Sequence, residues 1–226
     1  MHRGPPVSLT RRARRALPGF IALGVAAAVL AGCHDDQKWH ATNISGSLPK
    51  LAFTMTRARD GKRVTAGDYR GRVVMLYFGY TFCPDVCPTT LSHVALVLKR
   101  LGDEANRVRF LFVTVDPNRD TPKVLKRYAA AFAPQIDGLR GTPDQLAALA
   151  RRYRVSYSVT PATKDHPYKV THSSAIYVFD QTGAARLLVS SMAAAKPDLA
   201  GTAADLRRLV EQTNPPGLIT RILRLF

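Results

Sequence analysis

Val73-Val74-Met75-Leu76-Tyr77-Phe78-Gly79-Tyr80-Thr81-Phe82-Cys83-Pro84-Asp85-Val86-Cys87-Pro88 runs from an unbroken apolar stretch into two cysteines four positions apart. An apolar run rich in β-branched and aromatic residues is what a strand covered on both faces requires. A second such run occupies residues 108–115, and residues 89–101 between the two place Leu91, Val94, Leu98 and Leu101 at helical spacing. Strand, helix and strand in this order predict a crossover that builds a parallel sheet. The cysteines fall where the first strand gives way to the helix.

Outward from this unit, residues 51–56 and 62–65 read as strands around the turn Arg59-Asp60-Gly61, so a hairpin opens the fold. Thr121-Pro122 and Thr142-Pro143 each combine an N-cap residue with proline at the first helical position, which predicts helices over 122–133 and 143–154. Residues 175–179 and 186–189 form a second hairpin across Asp180-Gln181-Thr182-Gly183, and residues 197–212 a closing helix. The order is that of thioredoxins. The expected architecture is α/β: a thioredoxin-like fold with a central mixed sheet flanked by helices and an N-terminal β-hairpin, over residues 50–213.

The first eighteen residues hold Arg3, Arg11, Arg12, Arg14 and Arg15 and no acid, and residues 19–30 are uncharged and rich in Ala, Val and Leu. This is the pattern of a secretory leader, with an apolar core shorter than the roughly 20 residues that span a bilayer. Leu30-Ala31-Gly32-Cys33 is similar to a bacterial lipoprotein signal, which implies cleavage before Cys33 and lipidation of its sulfur; the rival reading is an uncleaved anchor. The expected organisation is a signal peptide over 1–32, a flexible tether over 33–49 in which Trp39 and His40 have no assigned role, the domain over 50–213, and an apolar-basic tail over 214–226. The full chain carries a net charge of +17, and +12 remains without the leader. Such a charge suits an anionic lipid surface or an acidic protein. Nucleic acid is excluded as a partner, because the basic residues are scattered and carry no RNA-stacking or DNA-reading motif.

The chain has three cysteines. With Cys33 assigned to lipid, Cys83 and Cys87 stand alone, and an isolated exported pair reads as a reactive or metal-binding dithiol better than as one staple of a disulfide framework. Unpaired N–H groups at a helix start lower a thiol pKa and favour the thiolate. A spacing of four brings both sulfurs to one helix face, and Pro84 and Pro88 imply an irregular first turn.

Three segments then carry a resemblance. Gly79-Tyr80-Thr81-Phe82-Cys83-Pro84-Asp85-Val86-Cys87-Pro88-Thr89-Thr90-Leu91, Val115-Asp116-Pro117-Asn118-Arg119-Asp120-Thr121-Pro122 and Val170-Thr171-His172-Ser173-Ser174 together resemble the Sco/SenC family. The resemblance implies a membrane-tethered copper protein that helps assemble the copper centre of cytochrome c oxidase. It assigns Cys83 and Cys87 as thiolate ligands and as a redox disulfide, His172 as the imidazole ligand, and Asp116 as a group that orients the site or a docking partner. The implied partners are the copper-accepting oxidase subunit, a copper donor protein and, through the lipid, the periplasmic face of a bacterial inner membrane. Two thiolates suit Cu(I), and an added imidazole lets the same set hold Cu(II), whereas a closed zinc site wants a fourth protein ligand.

The rival function is a thiol-disulfide reductase that maintains the cysteines of the oxidase subunit. His172 stands about where thioredoxins carry their cis-proline, which favours metal handling. A peroxidase of the peroxiredoxin kind does not fit the proline-rich CxxxC. His93 is expected to face away from the site, His166 to be solvated and Met75 to lie in the core. Asp116 to Asp120 lacks the glycine and glutamate of a calcium loop, and Asp120 is expected to cap the following helix.

Overall fold

The computed structural model describes residues 1, 2, 4, 38–190 and 192–212; the rest of the leader, Cys33 and the tail over 214–226 lie outside them. Among the described residues no helix is long and apolar enough to cross a membrane.

The strand-helix-strand unit forms as expected. β4 (Val73–Gly79) is buried along its whole length and pairs in parallel with β5 (Val108–Thr114), Val73 opposite Val108 through Gly79 opposite Thr114. The intervening helix α1 (Val86–Leu101) buries Cys87, Leu91, Val94, Leu98 and Leu101. β5 pairs in parallel with β6 (Ile136–Arg140), and β4 pairs on its other side, antiparallel, with β9 (Ile176–Phe179). The result is a mixed sheet.

The outer strands complete it. β2 (Thr54–Arg57) and β3 (Arg63–Thr65) form the opening hairpin, with β2 laid antiparallel on β6; β10 (Ala185–Val189) pairs with β9. With β1 spanning Thr42–Asn43, the order across the eight strands is β1-β10-β9-β4-β5-β6-β2-β3. Helices α2 (Pro122–Ala130) and α3 (Pro143–Arg152) begin as predicted, with the Thr121 and Thr142 hydroxyls accepting from Val124 and Gln145 N–H. Helix α4 (Leu199–Glu211) is the last helix among the described residues and packs against α1.

Three elements depart from expectation. The segment expected as a tether belongs to the body from residue 39 onward, since β1 (Thr42–Asn43) adds to the sheet beside β10. Polar composition hid this. The buried Asp205 carboxylate accepts from the His40 and Ala41 N–H groups at 3.2 and 2.8 Å, the Arg208 guanidinium lies 4.0 Å over the Trp39 ring, and Ile44 packs on the core. β6 was not foreseen, because Asp137-Gly138 interrupts its apolar run; Gly138 is bare where the Leu125 side chain presses in, and a Cβ there would lie 2.6 Å from Leu125 Cγ. A separate two-stranded sheet of β7 (Tyr157–Thr160) and β8 (Lys169–His172) was also not foreseen.

Candidate metal centre

The chain leaves β4 at Gly79 and turns through Tyr80, Thr81 and Phe82 to reach Cys83 before α1 begins at Val86. The two cysteines therefore do not share a helix face: Cys83 precedes the helix and Cys87 lies in its first turn. Asp85, at the N-cap position, makes no side-chain bond to a helix N–H. Cys83 supplies one instead, its Sγ accepting from the Cys87 N–H at 3.3 Å. Two groups anchor the turn itself. Asp120 is fully buried and accepts from the Thr81 N–H at 3.0 Å, from the Thr81 hydroxyl at 2.6 Å and from the Thr114 hydroxyl. Asp120 thus holds the Cys83 approach to the end of β5, and capping of α2 falls to Thr121. Gly79 gives the second constraint, since a Cβ there would come within 2.9 Å of Cys87 Sγ and 2.7 Å of the Phe112 ring.

His172 arrives from the other side, as the last residue of β8, paired across the small hairpin with Tyr157. Its Nε2 lies 3.4 Å from Cys87 Sγ, and the three ligand atoms of Cys83, Cys87 and His172 all fall within 4.8 Å of one another. No other such cluster occurs among the described residues. The second ring nitrogen fixes the tautomer: Nδ1 is 3.0 Å from the Ser173 carbonyl oxygen, which can only accept, so Nδ1 carries the proton and Nε2 presents its lone pair. Burial also lowers the His172 pKa, so the ring is neutral at neutral pH. The Tyr77 and Tyr80 rings meet the imidazole edge-on, with centroids 5.9 and 5.7 Å away.

The expectation of a thiolate stabilised by the helix start does not hold for Cys87. Its side chain is fully buried, and burial pushes the thiol up to about 12 against the hydrogen bonds offered by Tyr80 and Tyr77. Desolvation outweighs the helix terminus here. Cys87 is thus a neutral thiol whose proton leaves when a metal takes its place. Cys83 is partly exposed and opens on a cleft of about 380 Å³ lined by Tyr80, Pro84, Asp85, Val170 and His172.

Asp116 does not touch the ligand atoms. Fully buried, it accepts from Arg119 Nε and from the Tyr168 hydroxyl at 2.8 Å, while the Arg119 guanidinium lies 3.9 Å over the Tyr168 ring and 4.9 Å over that of Phe82. This cluster ties the Cys83 turn, the exit of β5 and the residue that leads into β8. Arg119 and Tyr168 were missed in the sequence, although Arg119 sits inside a motif that was noticed; nothing in Tyr168 itself gave a signal. His93 faces away as expected, its Nδ1 2.6 Å from the Met192 carbonyl, and Met192 is core, its sulfur accepting from the Thr202 hydroxyl.

Comparison with known proteins gives concordant matches. The family model described as SCO1/SenC matches residues 45–211. The mitochondrial protein SCO2 homolog of Bos taurus is 36% identical over 187 residues, which cover 80% of this chain and 70% of that one. The structure of Bradyrhizobium japonicum ScoI with copper bound is 37% identical, with a TM-score of 0.62 over 71% of this chain and 98% of that one. Arabidopsis thaliana ScoI with copper bound is 31% identical, with a TM-score of 0.63 over 73% and 99%.

Proposed function

The chain belongs to the SCO1/SenC family, and on that premise we propose that it is a copper metallochaperone whose ligands are Cys83, Cys87 and His172. The observation that carries this reading is the convergence of two sulfurs and one unprotonated imidazole nitrogen within 4.8 Å, from segments 85 residues apart. Two soft sulfurs favour Cu(I), and the added nitrogen completes a three-coordinate set that also accepts Cu(II). Similar structures solved with copper bound support the same cargo. The half-open cleft at Cys83 gives an acceptor's ligands a path to the ion, so transfer proceeds by ligand exchange from the exposed sulfur while Cys87 stays enclosed. The acceptor is a copper-binding subunit of cytochrome c oxidase and the source a copper donor protein. Cys33 carries a lipid that holds the chain on the periplasmic face of the inner membrane, and Asp116 orients the site through Arg119 and Tyr168.

The reduced full chain is expected to take up one copper per molecule and, as Cu(II), to show sulfur-to-metal charge-transfer absorption. His172→Ala should abolish that band and leave Cu(I) binding within about tenfold, while Cys87→Ser should lose both. Cu(II) bound unchanged without His172 would remove it from the ligand set.

One observation favours a second reading: an exposed and a buried free thiol within 4.8 Å also suit thiol-disulfide exchange with the oxidase subunit. In cells lacking this protein, rescue of oxidase assembly by a thiol reductant without added copper would support the reductase. Rescue by copper alone supports the chaperone.

A further inference from the structure

Tyr77 is a fully buried polar side chain beside the site to which no function has yet been assigned. It stands on β4, two residues before the glycine that lets Cys87 approach, and its ring sits between Phe110 and Phe112 of β5, with centroids 5.9 and 6.0 Å away. An apolar ring would fill that place equally well. The hydroxyl, however, points at the metal centre and lies 3.7 Å from Cys87 Sγ. Burial raises its pKa well above the ordinary phenol range, so it remains a donor. The same sulfur already faces His172 Nε2, to which only the thiol proton can be given, so the Tyr77 contact must run from hydroxyl to sulfur. The Cys83 sulfur accepts from the Cys87 backbone N–H at the site's edge.

We propose that Tyr77 is a positioning residue of the copper site, whose hydroxyl hydrogen bond aims the Cys87 sulfur and weakens that sulfur's electron donation, so that the reduced state of the centre is favoured. The inference rests on the copper-site reading for its metal-bound part, and the hydrogen bond itself can be tested without metal. A donor to a cysteine sulfur draws electron density from it, which destabilises Cu(II) relative to Cu(I) in a thiolate site. In the metal-free protein the thiol sulfur is a better acceptor than a disulfide sulfur, so the same bond favours the dithiol. Oxidation of Cys83 and Cys87 by glutathione disulfide forms one intramolecular S–S bond and breaks that of the oxidant; two electrons and two protons pass to give two glutathione thiols.

The test compares the full chain with Tyr77→Phe. Phe keeps the ring, its packing and its edge-on contact with His172, and removes one oxygen. At equilibrium with a glutathione redox buffer, Tyr77→Phe is expected to shift the dithiol-disulfide constant toward the disulfide by about threefold to tenfold, the range of one hydrogen bond. With Cu(II) added, the sulfur charge-transfer band of Tyr77→Phe should move to longer wavelength and the Cu(II)/Cu(I) potential should fall, with copper stoichiometry unchanged. An unshifted glutathione equilibrium in a variant whose thermal midpoint matches the parent would overturn the proposal. So would a shifted equilibrium with an unmoved charge-transfer band. If the parent chain binds no copper, the chaperone reading fails by itself, and the glutathione measurement still decides the Tyr77 bond.

Discussion

The two sulfurs and the imidazole come from regions built in different ways. Cys87 lies at 0% exposure in the first turn of α1, which connects β4 and β5, the two central strands of the eight-stranded sheet. His172 ends a strand of four residues in a two-stranded ribbon that makes no ladder with that sheet. An isolated hairpin of this size is marginal in water, so its place depends on side chains: Asp116, Arg119 and Tyr168 on one flank, and the Tyr77 and Tyr80 rings against the imidazole. The difference teaches that the dithiol is set by the sheet and its crossover helix, whereas the imidazole is set by side-chain contacts outside any sheet ladder, which can be loosened without unfolding the domain.

Four changes would break or sharpen that contrast. Gly79→Ala strikes the core side, forcing a methyl group against Cys87 Sγ and Phe112; it should cost about 3 kcal/mol in urea unfolding and disturb metal binding by both sulfurs. Asp120→Ala, which strands the Thr81 N–H and two hydroxyls at the Cys83 turn, should cost about 2 kcal/mol by the same measurement. Arg119→Gln strikes the ribbon side. It should cost about 1–2 kcal/mol globally, since Gln keeps a donor for the buried Asp116 carboxylate but removes its charged partner, while amide exchange quickens selectively in β7 and β8 and Cu(II) affinity falls more than Cu(I) affinity. Equal acceleration throughout the sheet would erase the contrast.

The smallest effect is one of pH. His172 titrates lower in the folded protein than the ordinary value near 6.5, so between the two values the unfolded chain binds more protons and stability rises with pH. Metal-free protein should lose stability as pH falls through about 6.5, down to the folded pKa. His172→Gln should flatten that part of the urea midpoint curve between pH 5 and 7.

The central crossover and the helix starts were legible because each rests on a local signal: an unbroken apolar run for β4 and β5, and Thr-Pro for α2 and α3. β6 was not, since Asp137 is held by the Tyr69 hydroxyl and by Arg59, and Gly138 by the shape of Leu125, all contacts distant in sequence. The polar residues 39–49 read as linker for the same reason, their partners Asp205 and Arg208 lying more than 150 residues away. At the site, the cysteine pair announced itself by spacing. His172 was legible only through the family motif, because no periodicity connects a residue on one ribbon to a thiol 85 positions earlier. The expectation of an acidic Cys87 failed because sequence shows the helix terminus and does not show the depth at which it is buried.

With the ligand set proposed above, the bond from the Cys87 N–H to Cys83 Sγ would let one sulfur serve the polypeptide and the cargo together. A sulfur has lone pairs enough to accept from a backbone amide while also facing a metal ion, so departure of the ion leaves the first coil of α1 still fastened. The emptied protein is then already shaped for its next consignment, and little rearrangement stands between one delivery and another.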